Sequence, residues 1–481
     1  MSSPRHILTA ERLRQRLAGM TSGGVLRSRM AAVAHLMSGS FGNALLMLAG
    51  LALATRALGV ADFGTMVVVL TIGRVCERLV RFESWQPLVR FVADEEVQSD
   101  PQRLSRLYLF GLMLDTASAL CGGLLAIAAA FVLADLFRFG EREIGLVAVY
   151  SIAIALNIRG MSSAIMRMAG QFGQLAYICF ASSLLRLALA LAAMLAGAGL
   201  EAFVVIWTAA QVLDALLFNV LGLRTLARQG VPSPLFASPR GLVREYPGFL
   251  AFAWTTNAST ALRTLTHEAD TLLVAALTGG SAAGFYHLAK RMAKTAQQAG
   301  EMIQTVLYPD LARMWARTTI RVFARTVLGV QLLMGLIAAT ALLVALPFGR
   351  ELIGLAFGAQ FDGAYPILIT QLLAVFLLLH AAPARSGLLA TNQPGYVLKV
   401  AAISTVLFLV VALTTIPQYG AIGASFAHIA FAGFSAVLFD AALWAKLRST
   451  DAHAKAANER AASAPVLSDS ARGAASREVG A

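Results

Sequence analysis

Three arginines stand where an apolar run should simply continue. Arg74, Arg78 and Arg81 are spaced 0, 4 and 7 after the Gly59–Gly64 turn, and Trp85 follows at 11. A continuous helix would set all four on one face. Arg74 falls ten residues after Gly64. At about 1.5 Å per residue that is roughly 15 Å, the middle of a bilayer core. Each arginine facing lipid at that depth costs roughly 2.5–3.5 kcal/mol even on the lenient insertion scale. The face is therefore expected to look into a hydrated cavity, with Glu77 about 60° round the same helix. Cations so placed suit a phosphorylated guest, because charge-assisted bonds replace the water a phosphate loses. The blander reading of Arg78 and Arg81 is snorkelling to the membrane surface.

A second stripe, Lys290, Lys294, Gln297 and Glu301, has the spacing 0, 4, 7 and 11, and Lys294 lies ten residues after Gly284. Arg263, His267 and Asp270 repeat the 0, 4, 7 pattern in the preceding segment. They read either as a proton- or cation-coupling site beside a substrate-contacting Arg263, or as an internally neutralised Arg263–Asp270 pair. Glu77 and Glu301 are further coupling candidates. Arg186 and Asp214, mid-segment in adjacent apolar runs, read as a structural ion pair. Arg159, Arg167, Arg385 and Lys399 fall toward segment ends and read as interfacial. Tyr150, Tyr365 and Trp207 suit sugar stacking or plain packing. No nucleophile constellation, phosphate-binding glycine loop or paired catalytic carboxylates occur, so no catalytic residue, cofactor or metal is expected. The chain does not read as an enzyme or as a nucleic-acid binder.

The elements that must position these side chains are membrane helices. Of 481 residues, 58% are hydrophobic and 14% charged, against about 25% charged in soluble domains. The mean hydropathy is +0.70. Twelve segments are apolar enough to span: 36–58, 65–84, 107–133, 144–166, 174–197, 200–223, 249–277, 283–312, 325–348, 364–388, 396–416 and 421–447. The three cysteines (Cys76, Cys121, Cys179) support neither a disulfide framework nor a zinc site. The arginine-rich start has no signal-peptide core and suits a basic interfacial helix.

Loop charges set the expected orientation. The turns at 59–64, 198–199, 278–282 and 417–420 hold no Lys or Arg, whereas the alternate set is basic. By the positive-inside rule both termini are cytoplasmic. A repeat is also legible. Ala57-Leu58-Gly59 with Gly64 matches Ala276-Leu277, Gly279 and Gly284 at an offset near 220; Gln171-Phe172-Gly173 matches Gln393-Pro394-Gly395 at 222; Leu216-Leu217-Phe218 matches Val437-Leu438-Phe439 at 221. Two six-helix halves inserted the same way round are expected to flank the substrate and alternate access by rocking. The resulting division is a basic N-terminal segment 1–35, an N-lobe 36–223, a cytoplasmic linker 224–248, a C-lobe 249–447 and a disordered tail 448–481.

The turn ALGVADFG, its counterpart ALTGGSAAGFYHLAKRM and the late IPQYGAIGASFAH resemble the Wzx-type polysaccharide-biosynthesis flippases. These belong to the multidrug/oligosaccharidyl-lipid/polysaccharide exporter superfamily, and the similarity runs over about residues 36–447. It implies an all-α, MATE-like membrane fold with two pseudo-symmetric lobes around a central cavity. It also implies an undecaprenyl-diphosphate-linked oligosaccharide as substrate, moved from the cytoplasmic to the periplasmic leaflet of the inner membrane. A monomer is expected, with a polysaccharide polymerase complex as a partner. Lipid II flippases of the superfamily usually carry two extra C-terminal helices that are not found here. Drug exporters commonly have an acid in the first span, and 36–58 has none. The rival readings are a cation-coupled drug exporter with an acidic cavity, and a non-transporting scaffold of a synthesis complex.

Overall fold

The computed structural model describes residues 23–82, 84–92, 100–317 and 319–463. Its main helices are α1 (Gly23–Val80), α2 (Trp85–Val92), α3 (Pro101–Val132), α4 (Glu141–Ala155), α5 (Gly160–Met168), α6 (Phe172–Leu195) and α7 (Leu200–Arg228). After the linker come α8 (Phe249–Thr278), α9 (Gly280–Arg317), α10 (Ile320–Phe357), α11 (Ala364–Ala390), α12 (Pro394–Tyr419) and α13 (Ala421–Ser463). Among the described residues nine helices or helix pairs are long and apolar enough to cross a membrane. The first of these contains two expected spans, and the polar α8 and α9 form where the seventh and eighth were expected. The outward faces are greasy: the most apolar window of α12 has mean hydropathy 2.4, yet only 28% of it is buried. A helix apolar all round but packed on one side has lipid for its other neighbour.

Three details differ from expectation. Spans one and two run on as α1, interrupted only at Gly59 (φ 73°, ψ −177°), a backbone region essentially closed to other residues. Span four is broken between α4 and α5, at Leu156–Arg159. The tail is helical as far as Ser463 rather than disordered from 448, in keeping with the helix propensity of its Ala-rich sequence.

The repeat is written in the backbone as well. Outside the linker, each positive-φ residue among those described has a counterpart in the other half: Gly59 with Gly279, Arg138 with Gly358, Gly170 with Asn392 and Gly197 with Gly420. Helices α1, α3, α4, α6 and α7 pack together, as do α9 to α13, and α1 crosses to α8 and α9. At that crossing the equivalent glycines meet: a Cβ on Gly64 would lie 2.3 Å from the Gly280 carbonyl oxygen, and one on Gly284 would lie 3.1 Å from the Gly64 Cα. Beside it Phe361 packs edge-on to Phe63 and Phe285, and Arg56 donates to the Leu355 and Ala356 carbonyls at the end of α10.

Candidate functional site

Past the glycine contact, α1 and α9 diverge around a cavity of about 160 Å³. Helices α1, α6 and α7 supply Arg74, Arg186 and Trp207; α8 and α9 supply Glu268, His287 and Arg291. Arg74 is fixed by a 2.8 Å bond to the Thr71 hydroxyl and faces Glu268 across the cavity at 3.6 Å. Both side chains are partly exposed to it, so the pair is loose and wet. The guanidinium of Arg186 sits 5.7 Å over the Trp207 ring, and its buried Nε has no hydrogen-bond partner. Arg291 donates to the Met47 thioether at 3.0 Å. Neither Arg186 nor Arg291 forms an ion pair among the described residues. Among the described residues three guanidinium groups therefore share one carboxylate. A charge held at membrane depth without a partner is costly, and water or an anionic guest relieves it.

The expected stripe is only partly realised. Arg74 lines the cavity; Arg78 is half-buried beside it and does not. Arg81 and Trp85 leave the stripe because α1 ends at Val80. Arg81 instead pairs with the buried Glu77 at 2.6 Å, and Glu77 also accepts from the Asn157 amide in the span-four break. Glu77 is thus a tie between α1 and that break, not a free coupling carboxylate. Arg167 stacks over Trp85 at 4.2 Å.

In the other half Lys290 does not reach the cavity. Its ammonium donates to both oxygens of Asp270, at 2.6 and 2.7 Å. Asp270 is fully buried and also accepts from the Tyr286 hydroxyl at 2.7 Å and the Thr271 amide at 2.6 Å, with His428 Nε2 at 2.8 Å. Among the described residues its basic partners are Lys290 and His428. The side chains of Arg263, His267 and Glu301 lie outside the described residues. Counting both ways from Gly279 would have found the ion pair, since Asp270 and Lys290 stand nine and eleven residues from that turn. Lys294 is exposed and lines no part of the cavity.

The expected Arg186–Asp214 pair does not form. Asp214 binds Arg159 and accepts from Ser182 at 3.0 Å. Arg159 is available because the broken span turns it inward, where it also lies over Phe218 at 5.4 Å. That frees Arg186 for the cavity. Arg291 and His287, the remaining cavity groups, are absent from the 0, 4, 7 stripes because they lie one and three positions off them.

Comparison with known proteins follows this geometry. Residues 53–366 match a family model described as polysaccharide biosynthesis protein. The chain is 25% identical over 350 residues to the inner membrane protein YghQ of Escherichia coli (strain K12), covering 72% of this chain and 97% of that one. Among solved structures it is similar to the lipid II flippase MurJ in an inward closed conformation (TM-score 0.66, 13% identity, 86% of this chain and 87% of that). It is also similar to an inward-facing multidrug resistance MATE family transporter of the MOP superfamily (TM-score 0.61, 13% identity, 86% and 94%). The architecture is thus the MATE-like one, and the chain belongs to the polysaccharide biosynthesis protein family of multi-pass membrane proteins.

Proposed function

We propose that this protein is a flippase that carries an undecaprenyl-diphosphate-linked oligosaccharide from the cytoplasmic to the periplasmic leaflet. The observation behind this reading is the excess of guanidinium over carboxylate in a cavity shared by both halves, with Arg74, Arg186 and Arg291 facing one Glu268. A diphosphate offers oxygen acceptors matched to the guanidinium fork. The acidic cavity that a cation-coupled drug exporter calls for is the opposite arrangement. In this reading the lobes are 36–223 and 249–447, the linker is 224–248, both termini are cytoplasmic, and the protein acts as a monomer beside a polymerase complex.

At about 160 Å³ the cavity holds a few waters, while ligand pockets commonly run to roughly 300–1,000 Å³. The halves must part before a headgroup enters. Entry of the diphosphate breaks the loose Arg74–Glu268 pair, and Trp207 offers a face to a sugar. The polyprenyl tail stays in the lipid. Rocking about the Gly64–Gly280–Gly284 contact then opens the other side. A negative headgroup moving outward is favoured by up to about 2.3 kcal/mol per charge per 100 mV, so net drive needs no coupled ion. Arg74→Ala should abolish export while the protein stays inserted. Lipid-linked sugars should then accumulate on the cytoplasmic side, and export at the normal rate in that variant overturns the assignment.

A further inference from the structure

Away from the central cavity, a cleft of about 420 Å³ opens between α3 and the linker, lined by Phe110, Met113, Pro239, Leu242, Val243 and Arg244. The linker is fastened there. Arg106 pairs with Glu245 at 2.6 Å and donates to the Arg240 carbonyl at 2.6 Å, and the Tyr246 hydroxyl donates to the Arg103 carbonyl at 2.6 Å. Yet this anchored segment turns apolar groups outward: Phe236 is 90% exposed, Val243 60% and Leu235 57%. A segment held this firmly has no reason to show Phe236 to water, and an apolar surface of this kind marks a contact.

The charge pattern chooses the contact. Arg244 lines the cleft and is exposed, Arg103 and Arg240 are exposed on the same helix and linker, and Arg244 pairs with no carboxylate among the described residues. Glu245 is occupied by Arg106, and Asp100 caps the first amides of α3. Met113 lies twelve residues into α3, about 18 Å along the helix. Met113 and Phe110 fall inside the third expected span, 107–133, whereas Pro239–Arg244 belong to the linker outside any expected span, so the cleft joins an apolar helix face to a basic segment. We propose that the cleft binds an anionic phospholipid, with an acyl chain along Phe110, Met113 and Val243 and the phosphate on Arg244, so that the inter-lobe linker is fixed to the leaflet. This site is separate from the transport cavity and does not depend on what that cavity carries.

The test is native mass spectrometry of the full chain in detergent, offered phosphatidylglycerol or phosphatidylcholine with the same acyl chains. Phosphatidylglycerol should be retained about tenfold better. Arg244→Ser should remove the preference, and Val243→Asp should remove retention of both lipids. Arg350→Ser, at an exposed pair with Asp362 elsewhere on the surface, should change nothing. An acyl-diazirine phosphatidylglycerol should label the segment from Pro239 to Arg244 or Met113. Equal retention of the two lipids, an unchanged preference in Arg244→Ser, or labelling confined to other helices overturns the proposal. So does displacement of phosphatidylglycerol by undecaprenyl diphosphate, which would make the cleft part of the substrate path.

Discussion

Helix α1 beyond Gly64 and helix α9 beyond Gly284 leave the same glycine contact, and each carries a cation ten residues on. Their surroundings then part company. Arg74 looks into the cavity and holds Glu268 only loosely, at 3.6 Å. Lys294 is exposed outside the cavity lining, and its neighbour one turn earlier, Lys290, is bonded to both oxygens of Asp270. Duplication preserved the turns, down to four pairs of positive-φ residues, because a turn either has its backbone conformation or the helices it joins misplace. It did not preserve the surroundings of the cation ten residues on, because side chains at the lobe interface were free to specialise. Among the described residues one half carries two of the three cavity guanidinium groups and the other holds a buried ion cluster.

The glycine contact, common to both halves, should show the largest effect. Gly64→Ala places a Cβ 2.3 Å from a backbone oxygen and 2.8 Å from a backbone nitrogen of α9. Main chain cannot yield as a flexible side chain does, so this variant should fail to accumulate as folded protein, as read by fluorescence-detected size exclusion. Gly170→Ala meets nothing within 4 Å and bears only the left-handed backbone cost of about 1–2 kcal/mol. Equal behaviour of the two would remove the contact from its place at the centre of the fold.

The sealed cluster comes next. Asp270→Asn leaves the ammonium of Lys290 without its anion in a buried site, a loss of about 3–5 kcal/mol, visible as a lower melting temperature in detergent. Lys290→Met added to it should restore much of that stability, since two neutral groups then replace an unbalanced charge. If instead the single variant melts normally, Asp270 is not tied to Lys290 in the membrane, and the contrast between the halves weakens.

On the open side, Arg186→Leu and Arg291→Leu should each weaken headgroup binding without unfolding the protein. A charge-assisted hydrogen bond contributes about 1.5–3 kcal/mol, or roughly 10- to 150-fold in affinity for a soluble diphosphate-sugar fragment by isothermal calorimetry. The two losses should fall short of additive, because both side chains face one guest.

How much of this was legible follows from which property each feature depends on. Apolar length and turn residues are local, so the positions of the helices and the repeat were readable, and Arg74 was found from depth alone. The polar pairings were not. Arg159 replaced Arg186 as the partner of Asp214 because span four breaks at Leu156–Arg159, and no proline or glycine pair announces that break. Arg81 and Trp85 left the arginine stripe for a similar reason, since periodicity assumes a helix that in fact ends at Val80. Arg291 was missed because it lies beside Lys290 and Lys294, and a one-residue shift turns a side chain by about 100°.

Lys294 gives the smallest expected effect and the sharpest check on the asymmetry. By sequence it is the twin of Arg74, at the same distance from its glycine. By position it is an exposed cation outside the cavity lining, and the interactions of exposed charges are commonly worth under about 1 kcal/mol. Lys294→Ala should therefore lower export no more than about threefold, against abolition in Arg74→Ala. Should the two substitutions prove equally damaging, the headgroup must meet both halves in turn. The rest state described here, with the guanidinium groups inside and the lysines outside or sealed, would then be one end of a cycle in which α9 rotates its lysine face into the path.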